Sequence, residues 1–214
     1  MMSSSHIKPP TCADCKVLSC NRGLIEKAPE NCPLIHNSDL LESSLKKYHD
    51  KVVHNIACSA ALVEAEGYCN WTRIEEIIAF AHKANYKRIG LAYCIGLRKE
   101  AVRFNEIMTR YKFEMISVVC KTGAVPKEAL GLSDENKVRP GRFEAICNPV
   151  AQAELLNKSG TDLNVILGLC VGHDSLFIRH ADSPVTVLAV KDRVLAHNPL
   201  GAIYAGHYFD RRFK

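Results

Sequence analysis

Apolar residues occur in two patterns along this chain, short continuous runs and helical spacing. The second half of the chain alternates between these two patterns. From Tyr86 onward, short apolar runs predict buried strands at residues 88–93, 115–119, 143–146, 164–169 and 185–190. Helical patterns or helix-start signals follow these runs at 97–111, from Pro149 and at 174–180. Near-continuous apolar strands that alternate with helices are typical of a mainly parallel sheet with both faces covered. We therefore predict an α/β fold with an open, doubly wound, mainly parallel sheet and helices on both faces.

The residues before Tyr86 lack this alternation. Residues 1–36 are rich in cysteine, proline and asparagine, and they contain too few large apolar side chains to form a core alone. Residues 37–85 have helical spacing, with Asn37 or Ser38 as a cap and Thr72 and Glu75 as a capping box. We expect a cysteine-rich metal-binding segment at 1–36 and an α/β domain at 37–214, in which residues 37–85 are a helical lead-in.

Composition and charge narrow the class of protein. The chain has 214 residues, 47% of them hydrophobic and 24% charged, as in ordinary globular proteins. No apolar run is long enough to cross a bilayer, and no secretory signal is visible, so we expect a cytoplasmic protein without a membrane partner. The net charge of +5 is scattered, which argues against a nucleic-acid partner. The expected partner is a small-molecule substrate or an electron-transfer protein.

Ten cysteines are the unusual feature, and in a reducing compartment they indicate metal binding or thiol chemistry rather than disulfides. Cys94, Cys120, Cys147 and Cys170 each stand at or just beyond the carboxyl end of a predicted strand. Carboxyl ends of parallel strands share one edge of a sheet, where ligands bind, so these four thiols could converge on a crevice there. The alternative is that each cysteine packs as a small buried hydrophobe.

Several polar residues follow the same strand ends. His173 comes shortly after Cys170 and could move protons, while Lys191 and Arg193 follow the last strand and could hold an anionic substrate. Together with the four cysteines, these three residues are the candidate catalytic set. Arg98, one turn into its helix, would add a cofactor-binding charge at this edge. Each of them is alternatively an ordinary surface charge or turn residue. No nucleotide-binding fingerprint and no G-x-S-x-G motif is present.

A second group of cysteines lies near the start of the chain. Cys12 and Cys15 form a C-x2-C pair that can reach one metal from a tight turn, and Cys20 and Cys32 complete four thiolate ligands. Pro33 after Cys32 and the lack of a second C-x2-C pair favour a [4Fe–4S] cluster, although the spacing is not that of a ferredoxin. Zinc in a closed tetrahedral site is the alternative cofactor.

Five segments carry a resemblance to a known family: CADCKVLSC, GLAYCIGLRKEA, CNPVAQAELLN, TDLNVILGLCVGHDSLF and VKDRVLAHNPLGAIY. Together they resemble a prokaryotic family of unknown function whose members are labelled predicted metal-binding proteins. The resemblance extends over nearly the whole chain. It implies a metal centre, for which Cys12, Cys15, Cys20 and Cys32 would be ligands and the strand-end cysteines further candidates, and it does not identify the metal.

The sequence leaves three functional hypotheses open. In the first, the protein is an iron–sulfur redox enzyme whose strand-end cysteines hold a second cluster or act as reactive thiols. Three thiolates and one open iron would then bind a small sulfur- or oxygen-containing substrate, which Lys191, Arg193 and His173 position or protonate. In the second, the protein is a non-catalytic zinc-binding or thiol redox-sensing protein. In the third, Cys94 is the nucleophile of a metal-free thiol enzyme.

Overall fold

The computed structural model describes residues 9–213, which divide into two compact units. The first unit ends at Leu62 and the second begins at Val63, a division that falls within a helix. The predicted division at residue 36 stays a prediction. Within residues 9–213, no helix combines the length and the apolar character needed to cross a membrane.

The first unit consists of short helices joined by turns. Its helices are α1 (Ser19–Arg22), α2 (Pro33–His36), α3 (Ser38–Lys46) and the first part of α4 (Lys51–Gly67). Single turns of 3₁₀ helix occur at Cys12–Asp14, Ile25–Lys27 and Lys47–His49. Proline at the first position of α2 has a φ suited to helix initiation. The carboxylate of Asp50 accepts the amides of Val52 and Val53 and so caps α4.

The second unit contains the strands. Its further elements are α5 (Arg73–Lys83), β1 (Arg88–Tyr93), α6 (Arg98–Arg110), β2 (Glu114–Val119), α7 (Pro149–Lys158), β3 (Leu163–Leu169), α8 (His173–His180), β4 (Val185–Val190), α9 (Leu200–Tyr204) and α10 (Gly206–Phe209). The predicted capping box opens α5, since Thr72 and Glu75 bond reciprocally. Asn148 caps α7 as predicted, accepting the amide of Ala151 at 3.1 Å.

The four strands form one parallel sheet in the order β2-β1-β3-β4. Leu91 of β1 aligns with Ser117 of β2 and Val165 of β3, and β3 is buried along its whole length. The chain winds outward from β1 to β2 and then returns past β1 to β3 and β4. The winding direction therefore reverses between β1 and β3, which makes their carboxyl ends the expected ligand-binding position.

Helices cover both faces of this sheet, as predicted. On one face, Leu91 and Val165 pack with Phe104 and Met108 of α6 and with buried residues of α5. On the other face, Ile166 packs in one cluster with Leu156 of α7 and Phe177 of α8. The predicted α/β class and the open parallel sheet are thus confirmed, with both layers of helices tied to the strands by buried apolar contacts.

The predicted strand at 143–146 is wrong. This segment forms one isolated antiparallel bridge, Pro126 with Ala145, and joins no strand of the sheet. The amide of Lys127 donates to Glu144 and that of Ile146 to Val125, so the segment folds back on the loop after β2. Phe143 is 70% exposed, which shows that its β propensity is not supported by burial against the sheet. Cys147 consequently follows a loop rather than a strand.

Candidate functional site

Three cysteines directly follow strands at the carboxyl edge of the sheet. Cys94 follows β1, Cys120 follows β2 and Cys170 follows β3. The amide of Cys94 donates to Leu167 at 3.0 Å and that of Cys120 to Tyr93 at 2.8 Å, so strand pairing fixes both positions. These cysteines therefore lie side by side on neighbouring strands, with backbones held by the sheet.

Cys147 reaches the same edge by another route. The amide of Asn148 donates to the carbonyl of Cys120 at 2.7 Å, which fastens the segment around Cys147 to the end of β2. Asn148 is also the cap of α7, so the helix start and the strand end share one anchoring residue. This backbone bond replaces the strand that the sequence predicted before Cys147.

The four cysteines line one cavity of about 390 Å³, which we call the cysteine cavity. Cys94 and Cys120 are buried, and Cys147 and Cys170 are half-buried. His173, Lys191 and Arg193 also line it, so the structure brings together all seven candidate catalytic residues. Their chemical roles stay predictions. The volume is within the range of about 300–1,000 Å³ found for small-molecule sites.

Arg98 is the predicted site residue that the structure does not place there. It is exposed at the first position of α6 and is not part of the cavity lining. A 3₁₀ turn at Ile95–Leu97 separates Cys94 from this helix, and its residues Ile95 and Gly96 line the cavity instead. The predicted cofactor-binding role of Arg98 gains no support from this placement.

The surroundings of Cys94 favour its thiolate. Hydrogen bonding with Cys120, the backbone of Gly96 and the ammonium of Lys191 together lower the pKa of Cys94 to about 5, against the opposing effect of burial. An ionised sulfur accepts such bonds and is attracted to the cation, whereas a neutral thiol gains little from either. Cys94 is therefore a thiolate at neutral pH.

Cys147 is the second thiolate. Hydrogen bonding with Cys120, together with electrostatic attraction to Lys121 and His173, lowers its pKa to about 5 despite burial. Cys120 behaves in the opposite way, because interaction with the Cys147 and Cys94 sulfurs and burial both raise its pKa. One thiol proton can be donated to only one neighbour at a time, so the buried Cys120 thiol stabilises either Cys94 or Cys147 as a thiolate at any one moment.

Cys170 has a different partner. The Arg193 guanidinium donates from Nη2 to its sulfur at 3.4 Å, and this bond raises the pKa of Arg193. The amide of His173 donates to the carbonyl of Cys170 at 3.0 Å, while the ring Nδ1 of His173 is buried without a hydrogen-bond partner among the described residues. Cys170 thus lies on a more polar side of the cavity.

The long connection between β2 and α7 supplies a wall that the sequence analysis missed. Lys121, Lys127 and Glu144 line the cavity, and Lys127 and Glu144 form an ion pair at 2.7 Å with both side chains 19% exposed. Apolar side chains from the same connection complete the wall: Leu130, Leu132, Val138 and Ile146. The signal that could have revealed this wall is length, because irregular connections beyond about 15 residues are usually functional.

The N-terminal cysteines also converge. Cys12, Cys15, Cys20 and Cys32 line one cavity of about 140 Å³ within the first unit, which we call the N-terminal cavity. The amide of Leu18 donates to the sulfur of Cys15 at 3.5 Å. Amide–sulfur bonds of this kind stabilise thiolates and tune metal centres. Over the described part of the chain, however, no three His, Cys, Asp or Glu side chains stand at the spacing that one metal ion requires.

In the metal-free protein, we expect iodoacetamide to modify Cys94 and Cys147 at pH 7 at nearly their maximal rates. A pKa of about 5 leaves each sulfur ionised at pH 7, and the rate should fall only as the pH drops through about 5. An ordinary thiol, with a pKa near 8.5, is only about 3% ionised at pH 7. Peptide mass spectrometry after timed labelling at several pH values measures each site.

Cys120 provides the internal contrast, because its raised pKa and its 1% exposure should keep it unlabelled at pH 7. A Cys58→Ser variant removes an exposed thiol outside both cavities and should leave these two profiles unchanged. Labelling rates of Cys94 and Cys147 that continue to rise up to pH 9 would contradict the predicted ionisation.

Comparisons with known proteins identify relatives but no activity. The family profile described as "Protein of unknown function (DUF1847)" matches residues 32–188, a range that includes the four cysteines of the cysteine cavity and Cys32. An uncharacterised protein of Methanocaldococcus jannaschii is 40% identical over 200 residues, which cover 94% of this chain and 96% of the relative. No solved structure matches the chain significantly.

Proposed function

Because the chain belongs to DUF1847, a family of unknown function, we propose its function from the cysteine cavity: it is an iron–sulfur protein that performs redox or sulfur chemistry on a small molecule. The thiolates of the cavity bind the reacting centre. The thiolates of the N-terminal cavity bind a second centre. When bound, an iron–sulfur cluster supplies one-electron transfer and an iron that can polarise a ligand.

The convergence of four cysteines from four separate connections carries this proposal. Cys94, Cys120, Cys147 and Cys170 lie far apart in sequence and line one cavity at the point where the winding of the sheet reverses. Packing alone accounts for one buried cysteine at a strand end. It does not account for four sulfurs around an open volume, whereas four thiolates are the usual protein ligands of an iron–sulfur cluster.

The size of the cavity favours a cluster over a single zinc ion. A tetrahedral zinc with Zn–S bonds of about 2.3 Å brings its four sulfurs within about 3.8 Å of one another and closes the site. The cysteine cavity, in contrast, has an open volume of about 390 Å³. A cluster of four irons fills more of that volume than a single ion does.

The charges of the lining are also compatible with a cluster. Lys121, Lys191 and Arg193 line the cavity without a carboxylate partner among the described ion pairs, while Lys127 is neutralised by Glu144. Three or four thiolates around a doubly charged [4Fe–4S] core leave about one or two negative charges. These three positively charged side chains can balance this charge in a partly buried site, where ionised groups need partners.

Anaerobic purification tests the proposal. We expect the protein to contain iron and acid-labile sulfide. It should also show the broad absorption band at about 400 nm that is typical of such clusters. A Cys12→Ala/Cys15→Ala double variant and a Cys94→Ala/Cys147→Ala double variant should each lose part of the iron, and combining them should remove nearly all of it.

The matched control is Cys58→Ala, since Cys58 is an exposed cysteine of α4 outside both cavities. It should retain the full iron content. A colourless protein that takes up neither iron nor sulfide on reconstitution, or one that binds stoichiometric zinc at both groups of cysteines, would rule out the iron–sulfur function.

The position of Cys120 between two thiolates supports a second candidate function, a thiol redox sensor without iron. Two neighbouring thiols treated with hydrogen peroxide lose two hydrogen atoms and form a disulfide, while the peroxide becomes water. Mass spectrometry of the iron-free protein should then detect a disulfide between Cys120 and either Cys94 or Cys147. Formation of sulfinic acids without such a disulfide would exclude this candidate.

A further inference from the structure

We propose that the four cysteines of the cysteine cavity have two different roles. Cys94, Cys120 and Cys147 are the protein ligands of the cluster, while Cys170 and Arg193 form the binding surface for a small organic anion. This inference rests on the proposed iron–sulfur function and identifies its substrate class. Three protein thiolates leave one iron without a protein ligand, so the anion would bind beside an open position.

The first three sulfurs form one group around Cys120. The amide of Ile95, next to Cys94, donates to the Cys120 sulfur at 3.3 Å. The carbonyl of Cys120 accepts the amide of Asn148, next to Cys147. Hydrogen bonds therefore tie the segments that carry Cys94 and Cys147 to Cys120.

Cys170 stands apart from this group in its bonding. Its sulfur accepts a hydrogen bond from Arg193 at 3.4 Å, a partner that none of the other three sulfurs shares among the described hydrogen bonds. Arg193 is an exposed residue, so its guanidinium is accessible to a molecule entering the cavity. His173 also lines the cavity, and its buried ring Nδ1 has no hydrogen-bond partner among the described residues. A guanidinium and a ring nitrogen are suited to an oxyanion such as a carboxylate.

The opposite wall indicates that the anion has an apolar part. Leu130, Leu132, Val138 and Ile146 line this side of the cavity, and Lys127 beside them is already paired with Glu144. A purely inorganic anion would leave these side chains facing water. A small organic acid places its charged group at Arg193 and Lys191 and its carbon chain against the apolar wall, which matches the polarity of both sides.

Alanine variants separate the two roles by iron content. Cys147→Ala should lose the iron of the cysteine cavity, whereas Cys170→Ala should retain as much iron and sulfide as the unsubstituted protein, because Cys170 is not a ligand. Cys58→Ala is the control for loss of a thiol elsewhere. Alanine is used because a serine oxygen can replace a sulfur ligand. The measurements are iron and sulfide per chain and the electron paramagnetic resonance spectrum of the reduced protein.

Ligand probes test the anion site in the loaded protein. We expect 3-mercaptopropionate to change the electron paramagnetic resonance spectrum, and cysteamine, a cationic thiol of similar size, to leave it unchanged at the same concentration. Arg193→Gln should retain its iron but need about tenfold more 3-mercaptopropionate for the same change, since it lacks a charge-assisted hydrogen bond.

The outcomes distinguish this inference from the function on which it rests. Iron-free unsubstituted protein would refute the iron–sulfur function itself. If the protein binds iron but Cys170→Ala loses as much as Cys147→Ala, all four cysteines are ligands and the division of roles is wrong. Equal responses to 3-mercaptopropionate and cysteamine, or an unchanged response in Arg193→Gln, would refute the anion site.

Discussion

A Gly168→Ala variant is expected to unfold about 10 °C below the unsubstituted protein. Gly168 lies in β3 with φ at +68°, where the pairing with β4 shifts register. A Cβ at this position would lie 2.2 Å from Cδ1 of the buried Leu97. Left-handed backbone costs a side-chain-bearing residue about 1–2 kcal/mol, and overpacking costs about 1–3 kcal/mol. The sum of about 3 kcal/mol lowers the melting temperature of a chain this size by roughly 6–12 °C.

Gly141→Ala is the matched control for this experiment. Gly141 also has a positive φ, +74°, but nothing lies within 4 Å of its added Cβ. It should therefore lose only the backbone contribution, about 1–2 kcal/mol. Thermal unfolding followed by circular dichroism compares the two variants. If both variants had the same melting temperature, the contact between the added methyl group and Leu97 would carry no cost in stability.

Replacing Gln152 should have the second large effect. Gln152 is fully buried in α7, and its Nε2 donates to Val118 at 2.7 Å and to Tyr93 at 3.3 Å. Tyr93 is the last residue of β1, directly before Cys94, and Val118 is the second-last residue of β2, two residues before Cys120. Gln152→Ala removes both donors and leaves a cavity, so we expect a loss of about 2–5 kcal/mol in the free energy of unfolding.

Gln152→Met separates the two contributions, because methionine fills most of the space and lacks the donors. It should cost about 1–3 kcal/mol in chemical denaturation, less than the alanine variant. Both variants should also weaken iron retention, since the spacing between the ends of β1 and β2 sets the spacing of two proposed ligands. If Gln152→Met and the unsubstituted protein had the same free energy of unfolding, these hydrogen bonds would not be needed in the core.

The strands were predictable because parallel strands buried on both sides are continuous apolar runs. RIGLAY and VTVLAV form β1 and β4 with the predicted bounds, and β2 and β3 begin one residue earlier than predicted. The convergence of Cys94, Cys120 and Cys170 followed from a general property of such sheets, in which every carboxyl end lies on the same edge. No pairwise contact had to be known for that inference.

The connection between β2 and α7 was not predictable in the same way. Its structure depends on contacts between residues distant in sequence, such as the Lys127–Glu144 ion pair and the bridge from Pro126 to Ala145. Local spacing carries no signal for such contacts, and the β propensity of Phe143 pointed to the wrong element. Arg98 illustrates a related limit: a one-turn 3₁₀ segment decides which residues face the cavity, and helical periodicity does not detect so short a turn.

The strand order has a consequence for when the cavity is completed during synthesis. Residues 94–113 separate β1 from β2, whereas residues 94–162 separate β1 from β3. Nearby strands pair sooner than distant ones, and nascent chains fold from the amino terminus. A ribosome-bound chain can therefore bring Cys94 and Cys120 together before Cys170 or Arg193 has been translated. The proposed binding surface at Cys170 and Arg193 can therefore form only after most of the chain has been synthesised.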